Sequence, residues 1–189
     1  MSNLVDGEHF ESDPTKIIPF EEFLQGVTVI NLSELGPDDS TKNMLVALFL
    51  NFFYEYMLRL EKKEFVGENP TLRCIDSFLL VDEADNIMKY EFQVLRTLLQ
   101  QGREFGVGVL LASQYLSHFN TKGTDYREPL LTWFIHKVPN ISAKELSALG
   151  VENAQLAPRI SQLGLHECLC KTLGCNGELI YGIPFYKLP

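Results

Sequence analysis

The sequence predicts an α/β fold, with a parallel sheet flanked by helices and a C-terminal extension of short helices and a β-hairpin. Three observations carry this. Apolar runs at 27–32 (VTVINL), 78–81 (FLLV) and 107–112 (VGVLLA) lack the alternation of half-exposed strands, as expected of strands covered on both faces. Helical patterns separate them, and strand–helix–strand–helix–strand is the order that builds a parallel sheet. Apolar residues are 46% of the chain and charged residues 22%, enough for a core and unlike a disordered chain. At 189 residues the length suits one domain and could only just hold two small ones.

Taken in order, residues 1–26 read as a lead-in segment, 27–138 as the α/β core and 139–189 as the extension. After the first strand, Gly36-Pro37-Asp38-Asp39-Ser40 supplies a turn and an N-cap for a helix over about 41–63. That helix is apolar nearly all round (Met44, Leu45, Leu48, Phe49, Phe52, Phe53), which predicts burial on several sides or docking on a partner. A loop with Gly67 and Pro70 leads to the second strand. A helix over about 86–104 follows, with Met88, Phe92, Leu95 and Leu99 on one stripe and Gly102 and Gly106 at its end. Beyond the third strand, 130–138 reads as a fourth. Short helices are expected at 142–149 and 154–163, and a hairpin over 165–173 and 178–185 around Gly174 and Gly177.

Sixteen basic against twenty-five acidic residues give a net charge of −9, which argues against a stand-alone nucleic-acid binder. DNA contact through local loops of a larger assembly stays open. The polar, acidic N-terminus has no secretory signal pattern, and four cysteines read as reduced thiols of a cytoplasmic protein. The apolar stretch 44–60 is interrupted by Asn51 and Glu55 and is short for a membrane span. It is expected to be a buried core helix.

The chemistry concentrates in Ser77–Asp85, SFLLVDEAD. An apolar strand delivering two adjacent acids has the form of a Walker B element, its end pointing into the crevice where α/β folds bind ligands. Asp82 suits Mg²⁺ held through water, since that cation takes carboxylate and water oxygens. Glu83 suits polarising an attacking water for phosphoryl transfer. The blander alternative is an acidic helix start, with Asp82, Glu83 and Asp85 complementing the dipole. One helix later, VGVLLA ends in Ser113-Gln114. In P-loop ATPases a polar residue at the tip of the strand beside Walker B reaches the γ-phosphate, and the Gln114 amide can bond both water and phosphate oxygen.

VTVINLSEL, FLLVDEADNI, the helix ending QQGREFG and VGVLLASQYLSHF together resemble the C-terminal half of HerA/FtsK-type ATPases, over residues 27–120. More narrowly, the chain is similar to the HerA-like helicase component of phosphorothioation-dependent DNA restriction systems. The resemblance implies a partial RecA-like core, ATP and Mg²⁺ as cofactors, DNA as substrate of the assembly and a hexameric homo-oligomer, and the short, interrupted apolar stretch leads us to expect no membrane partner. It also implies that an arginine near Arg96 or Arg103 acts across a subunit interface, Arg103 being the candidate. A surface arginine near a helix end is the alternative.

The chain departs from that family in one respect. None of its thirteen glycines precedes a lysine, so the G-x-x-x-x-G-K-[ST] phosphate loop is absent. We therefore expect a C-terminal fragment of a longer ATPase, inactive alone, its phosphate loop carried by the remaining N-terminal part. The competing expectation is a non-catalytic RecA-like interaction module of a DNA restriction or defence complex. Asp82-Glu83-Ala84-Asp85 also spells the DEAD-box signature. Those helicases carry Ser-Ala-Thr where this chain has Ala-Ser-Gln, and they need a second RecA-like domain longer than the remaining chain. Cys168, Cys170 and Cys175 with His166 suggest zinc, but Cys168 and Cys170 also alternate along a predicted strand, where cysteine packs as a small apolar residue. His9, His118 and His136 show no ligand spacing, and no Ser/His/Asp arrangement is legible.

Overall fold

A computed structural model describes residues 13–35, 38–68, 72–183 and 187. The lead-in before Asp13, the Gly36-Pro37 turn, Pro70 and the end of the predicted hairpin at Phe185 lie outside these residues. The fold is mixed α/β, with a small parallel sheet flanked by helices and a separate antiparallel sheet with short C-terminal helices. The described chain divides into two compact units. The first runs to Val81 and resumes over Tyr90–Leu110, and the second holds Asp82–Lys89 and the residues from Leu111 onward.

In the first unit, a short helix α1 (Phe20–Phe23) precedes the long helix α2 (Asp39–Arg59). The Asp38 carboxylate caps α2, accepting from the Ser40 amide at 3.0 Å and the Thr41 hydroxyl at 2.6 Å, which satisfies donors that the first turn leaves unpaired. Val46, Leu50, Phe53 and Met57 form its buried stripe at the i, i+4, i+7, i+11 spacing of one helix face. Phe20 of α1 packs its ring against Phe49, Phe52 and Tyr56, with centroids 5.8, 5.9 and 6.3 Å apart. The helix is buried along one stripe and not covered all round. Met44, Leu48 and Phe52, four residues apart, are exposed, because α1, a 3₁₀ turn at Leu32–Leu35 and a helix over Gln93–Gln101 are its main packing partners and leave one side open. Among the described residues no helix is long and apolar enough to cross a membrane.

The strands β1 (Ser77–Val81) and β2 (Val107–Leu111) form a parallel two-stranded sheet. Two expectations change here. VTVINL is not a strand: residues 27–31 are irregular, Val27 and Val29 are 93% and 82% exposed, and a 3₁₀ turn follows. A strand needs a partner for its amides and carbonyls, and this segment pairs with neither β1 nor β2. Nor is β1 covered on both faces: Phe78 and Leu80 are 64% and 68% exposed while Val81 is buried.

The helix expected over 86–104 is two helices, α3 (Asp85–Met88) and α4 (Gln93–Gln101), parted by Glu91 at φ +53° and a non-helical Phe92. The buried residues explain the break. Met88 belongs to the core of the second unit, Leu95 and Leu98 to that of the first, so one straight stripe does not serve both.

A 3₁₀ turn over Gly102–Phe105 leads from α4 to Gly106, which adopts φ +78° and starts β2. Its carbonyl accepts from the amides of Asp76 (2.8 Å) and Ser77 (3.2 Å), aligning β1 with β2. The Lys63–Asp76 ion pair crosses the glycine so closely that an added Cβ would lie 2.7 Å from Lys63 Cε.

The second unit contains β3 (Trp133–Ile135), α5 (Ala143–Ser147), α6 (Leu156–Ile160), β4 (Glu167–Lys171) and β5 (Glu178–Tyr181). The predicted hairpin forms, β4 pairing antiparallel with β5, and β3 joins the other edge of β4, with Ile135 opposite Leu169 and Leu169 opposite Leu179. Leu169 is fully buried, and the Trp133 ring packs edge-on against Phe119 at 5.1 Å. A capping box opens α5: the Ser142 hydroxyl accepts from the Glu145 amide, and the Glu145 carboxylate accepts from the Ser142 amide. The Arg127 guanidinium forks onto Asp125 at 2.8 and 2.5 Å.

Two outcomes are expected. Gly106→Ala forces a side chain into the left-handed region and against Lys63, so it should lower stability by about 1–3 kcal/mol, read as a lower urea midpoint. The second outcome concerns acid. Hydrogen bonds from Ser142 hold the Glu145 carboxyl below its ordinary 4.5, and the Arg127 guanidinium holds Asp125 below 3.8. Both folded values are depressed, so these groups stabilise the fold above the unfolded values and lose that contribution as pH falls through the lower folded ones. Ser142→Ala should therefore cost about 1 kcal/mol near neutral pH and less in acid, measured by urea unfolding across pH.

Candidate functional site

The polar residues that the sequence singles out cluster where β1 and β2 end. Val81 is the last, buried residue of β1, and the chain then turns through Asp82, Glu83 and Ala84 into α3. Ala84 is fully buried, and its amide donates to the Ala112 carbonyl at 2.8 Å. This anchors the acidic turn beside the segment that carries Ser113 and Gln114.

Glu83 stands at φ +48°, a conformation that costs a side-chain-bearing residue about 1–2 kcal/mol and that gathers at functional positions. Local bonds hold it there. Its amide donates to Asp82 Oδ1 at 2.9 Å, its carbonyl accepts from the Asn86 amide at 3.0 Å, and its Oε2 accepts from the Asn86 side chain at 3.4 Å. Both acids are exposed, as is Gln114, whose side-chain amide makes no hydrogen bond among the described residues. The turn thus offers two carboxylates to solvent, and the neighbouring segment offers a free carboxamide.

Asp85, in the first turn of α3, is partly buried and hydrogen-bonded. Its Oδ1 accepts from the Ser113 hydroxyl at 3.1 Å. Ser113 Oγ lies 2.8 Å from His118 Nδ1, and that nitrogen is 3.6 Å from Asp85 Oδ1. The ring edge of His118 meets Tyr115 at 5.2 Å between centroids, and α3 packs on the 3₁₀ turn Leu116–Phe119 that carries His118. A Ser/His/Asp cluster is therefore present where the sequence shows none, since Asp85 and Ser113 lie 28 residues apart. The one available signal was the clustering of polar residues at two strand ends. The geometry is not that of an activated nucleophile. In a serine triad, hydroxyl and carboxylate address different ring nitrogens, whereas here both face Nδ1.

Asp82, Glu83 and Gln114 all belong to the second unit, whereas Arg103 belongs to the first, exposed on the 3₁₀ turn before Gly106. Arg96 lies on α4, partly buried. The zinc candidates sit on the antiparallel sheet: Cys168 and Cys170 share one face of β4, and Cys168 is buried. Burial pushes the Cys168 thiol above its ordinary range, with Cys170 adding to the shift, the opposite of what a thiolate ligand or nucleophile requires. Among the described residues no three His, Cys, Asp or Glu side chains are grouped to hold a metal. Asp82 has one oxygen committed to the Glu83 amide and its side chain in solvent. A lone carboxylate of this kind fits Mg²⁺, which takes one or two protein carboxylates alongside water and phosphate oxygens.

No protein-family model matches the chain. Over 93 residues, 48% of its length, it is 23% identical to the DNA import protein CedB of Sulfolobus acidocaldarius, and the matched stretch spans 14% of that protein.

Proposed function

We infer that this chain supplies the hydrolytic residues of a RecA-like, ATP-driven motor acting on DNA. The observation that supports the reading best is Glu83, held at φ +48° on an exposed turn that the Ala84–Ala112 bond ties to the Gln114 segment. Strain of that kind persists where the surroundings impose it, and a carboxylate beside a free carboxamide suits in-line attack of water on a phosphoryl group. In this reading Glu83 accepts a proton from water as the water oxygen bonds to the γ-phosphorus, and ADP leaves with the electron pair of the broken bond. Gln114 orients that water and a γ-phosphate oxygen. Asp82 would hold Mg²⁺, which when bound neutralises charge on the phosphates. Arg103 would serve a neighbouring subunit's nucleotide in a ring of six copies.

The phosphate loop must come from polypeptide outside these 189 residues, because no Gly-Lys pair exists within them. The similarity to a DNA import protein of Sulfolobus supports DNA as the cargo. A second reading, a non-catalytic RecA-like interaction module, draws on the exposed Met44, Leu48 and Phe52 of α2, since exposed apolar groups in a row mark contact surfaces. Retention of turnover by the assembled protein after loss of Glu83 would favour it.

The isolated chain is expected to show no ATP turnover. Combined with the polypeptide that carries the phosphate loop, Glu83→Gln should bind nucleotide normally and lose roughly 10²–10⁴-fold in turnover, the usual effect of removing a general base. Wild-type turnover in that variant would overturn the assignment of Glu83. Glu83→Gly should also abolish turnover while raising stability by about 1 kcal/mol or less, read as a higher urea midpoint, because glycine relieves the left-handed strain but loses more chain entropy. A glycine variant less stable than the wild type would show that the side chain is there for structure.

A further inference from the structure

We propose that Ser113 and His118 are positioning residues that latch the acidic turn to the Gln114 segment through a fixed order of protons, His118 Nδ1–H to Ser113 Oγ–H to Asp85 Oδ1. The order follows from counting donors. A serine hydroxyl has one proton and an ionised carboxylate only accepts. Ser113 Oγ lies 3.1 Å from Asp85 Oδ1 and 2.8 Å from His118 Nδ1. Were the hydroxyl proton given to His118, two oxygens would face each other with lone pairs alone, and Nδ1 would sit 3.6 Å from the same carboxylate oxygen without a proton to offer. With Nδ1 protonated, every short contact has one donor and one acceptor. Nδ1 carries a proton in the cation as well as in this tautomer, so the latch holds whichever charge the ring bears.

The place of the latch gives it a role. Ser113 immediately precedes Gln114, and Asp85 follows Asp82 and Glu83 by one buried residue, Ala84. The Ala84–Ala112 main-chain bond and the Asp85–Ser113 side-chain bond are consecutive rungs between the same two segments. His118, rising from the turn Leu116–Phe119 whose Leu116 and Phe119 are buried, closes the loop 113–118 onto them. A shift of Gln114 is thereby passed to the turn that presents Glu83. That consequence for hydrolysis rests on the function proposed above, whereas the latch itself stands on the geometry.

Nitrogen-15 NMR of the 189-residue chain, without nucleotide, is the test. At alkaline pH, His118 should appear as the Nδ1–H tautomer, the minor form of a free imidazole. Ser113→Ala should return it to the Nε2–H form, and Ser113→Thr, which keeps the hydroxyl, should preserve Nδ1–H. Amide exchange at Ala84 should accelerate roughly tenfold in Ser113→Ala and His118→Ala, about the effect of one lost hydrogen bond, with Leu169 unchanged as the check that the unit stays folded. An Nε2–H tautomer in the wild type, or unchanged Ala84 exchange in both folded variants, would overturn the latch. None of these readings involves ATP, so a latch that holds in a protein whose Glu83→Gln variant keeps full turnover would separate failure of the motor reading from failure of this one.

Discussion

The polar surface of the second unit depends on one main-chain bond, from the amide of Ala84 to the carbonyl of Ala112. Ala84 is fully buried, and a buried amide without an acceptor costs roughly 1–3 kcal/mol, so the turn cannot swing away from the segment after β2 without losing both the bond and the packing. Everything polar nearby is arranged around that point. Asp82 and Glu83 precede the buried alanine, Asp85 follows it, and Ser113 and Gln114 follow its partner. The left-handed backbone at Glu83 is tolerated because the bonds to Asp82 and Asn86 close around it.

The first unit obeys a different constraint. Two strands alone make a marginal sheet, and β1 leaves Phe78 and Leu80 in solvent. Its order comes from α2, whose buried stripe packs on α4 and the 3₁₀ turn after it, and from Gly106, the residue that lets the chain reverse into β2 while its carbonyl aligns β1. The glycine pair at 102 and 106 is thus a structural device. Gly102 has its own reason to lack a side chain, since a Cβ there would press on the Val107 carbonyl at 3.0 Å.

Local patterns made much of this legible. FLLV and VGVLLA are strands, the acids follow the first of them, the hairpin over 167–181 pairs around its glycines, and a short helix lies within 142–149. These features depend on neighbours within a few residues, through side-chain period, turn chemistry and capping. What failed were inferences about surroundings. VTVINL has the composition of a strand but no partner, and the run 86–104 has one helical stripe but feeds two cores.

The sequence by itself determined which residues bring chemistry to the strand ends: two adjacent acids after an apolar run, a glutamine after the next, and no Gly-Lys pair for a phosphate loop. Only the tertiary structure decided how those residues are held. The left-handed backbone of Glu83 and the Asp85–Ser113–His118 contact arise from pairing across a crossover of some thirty residues, and no local periodicity encodes which side chains such a pairing brings within hydrogen-bond reach. Propensity and period act over a few residues, whereas the orientation of a functional group depends on what the chain packs against it from far away.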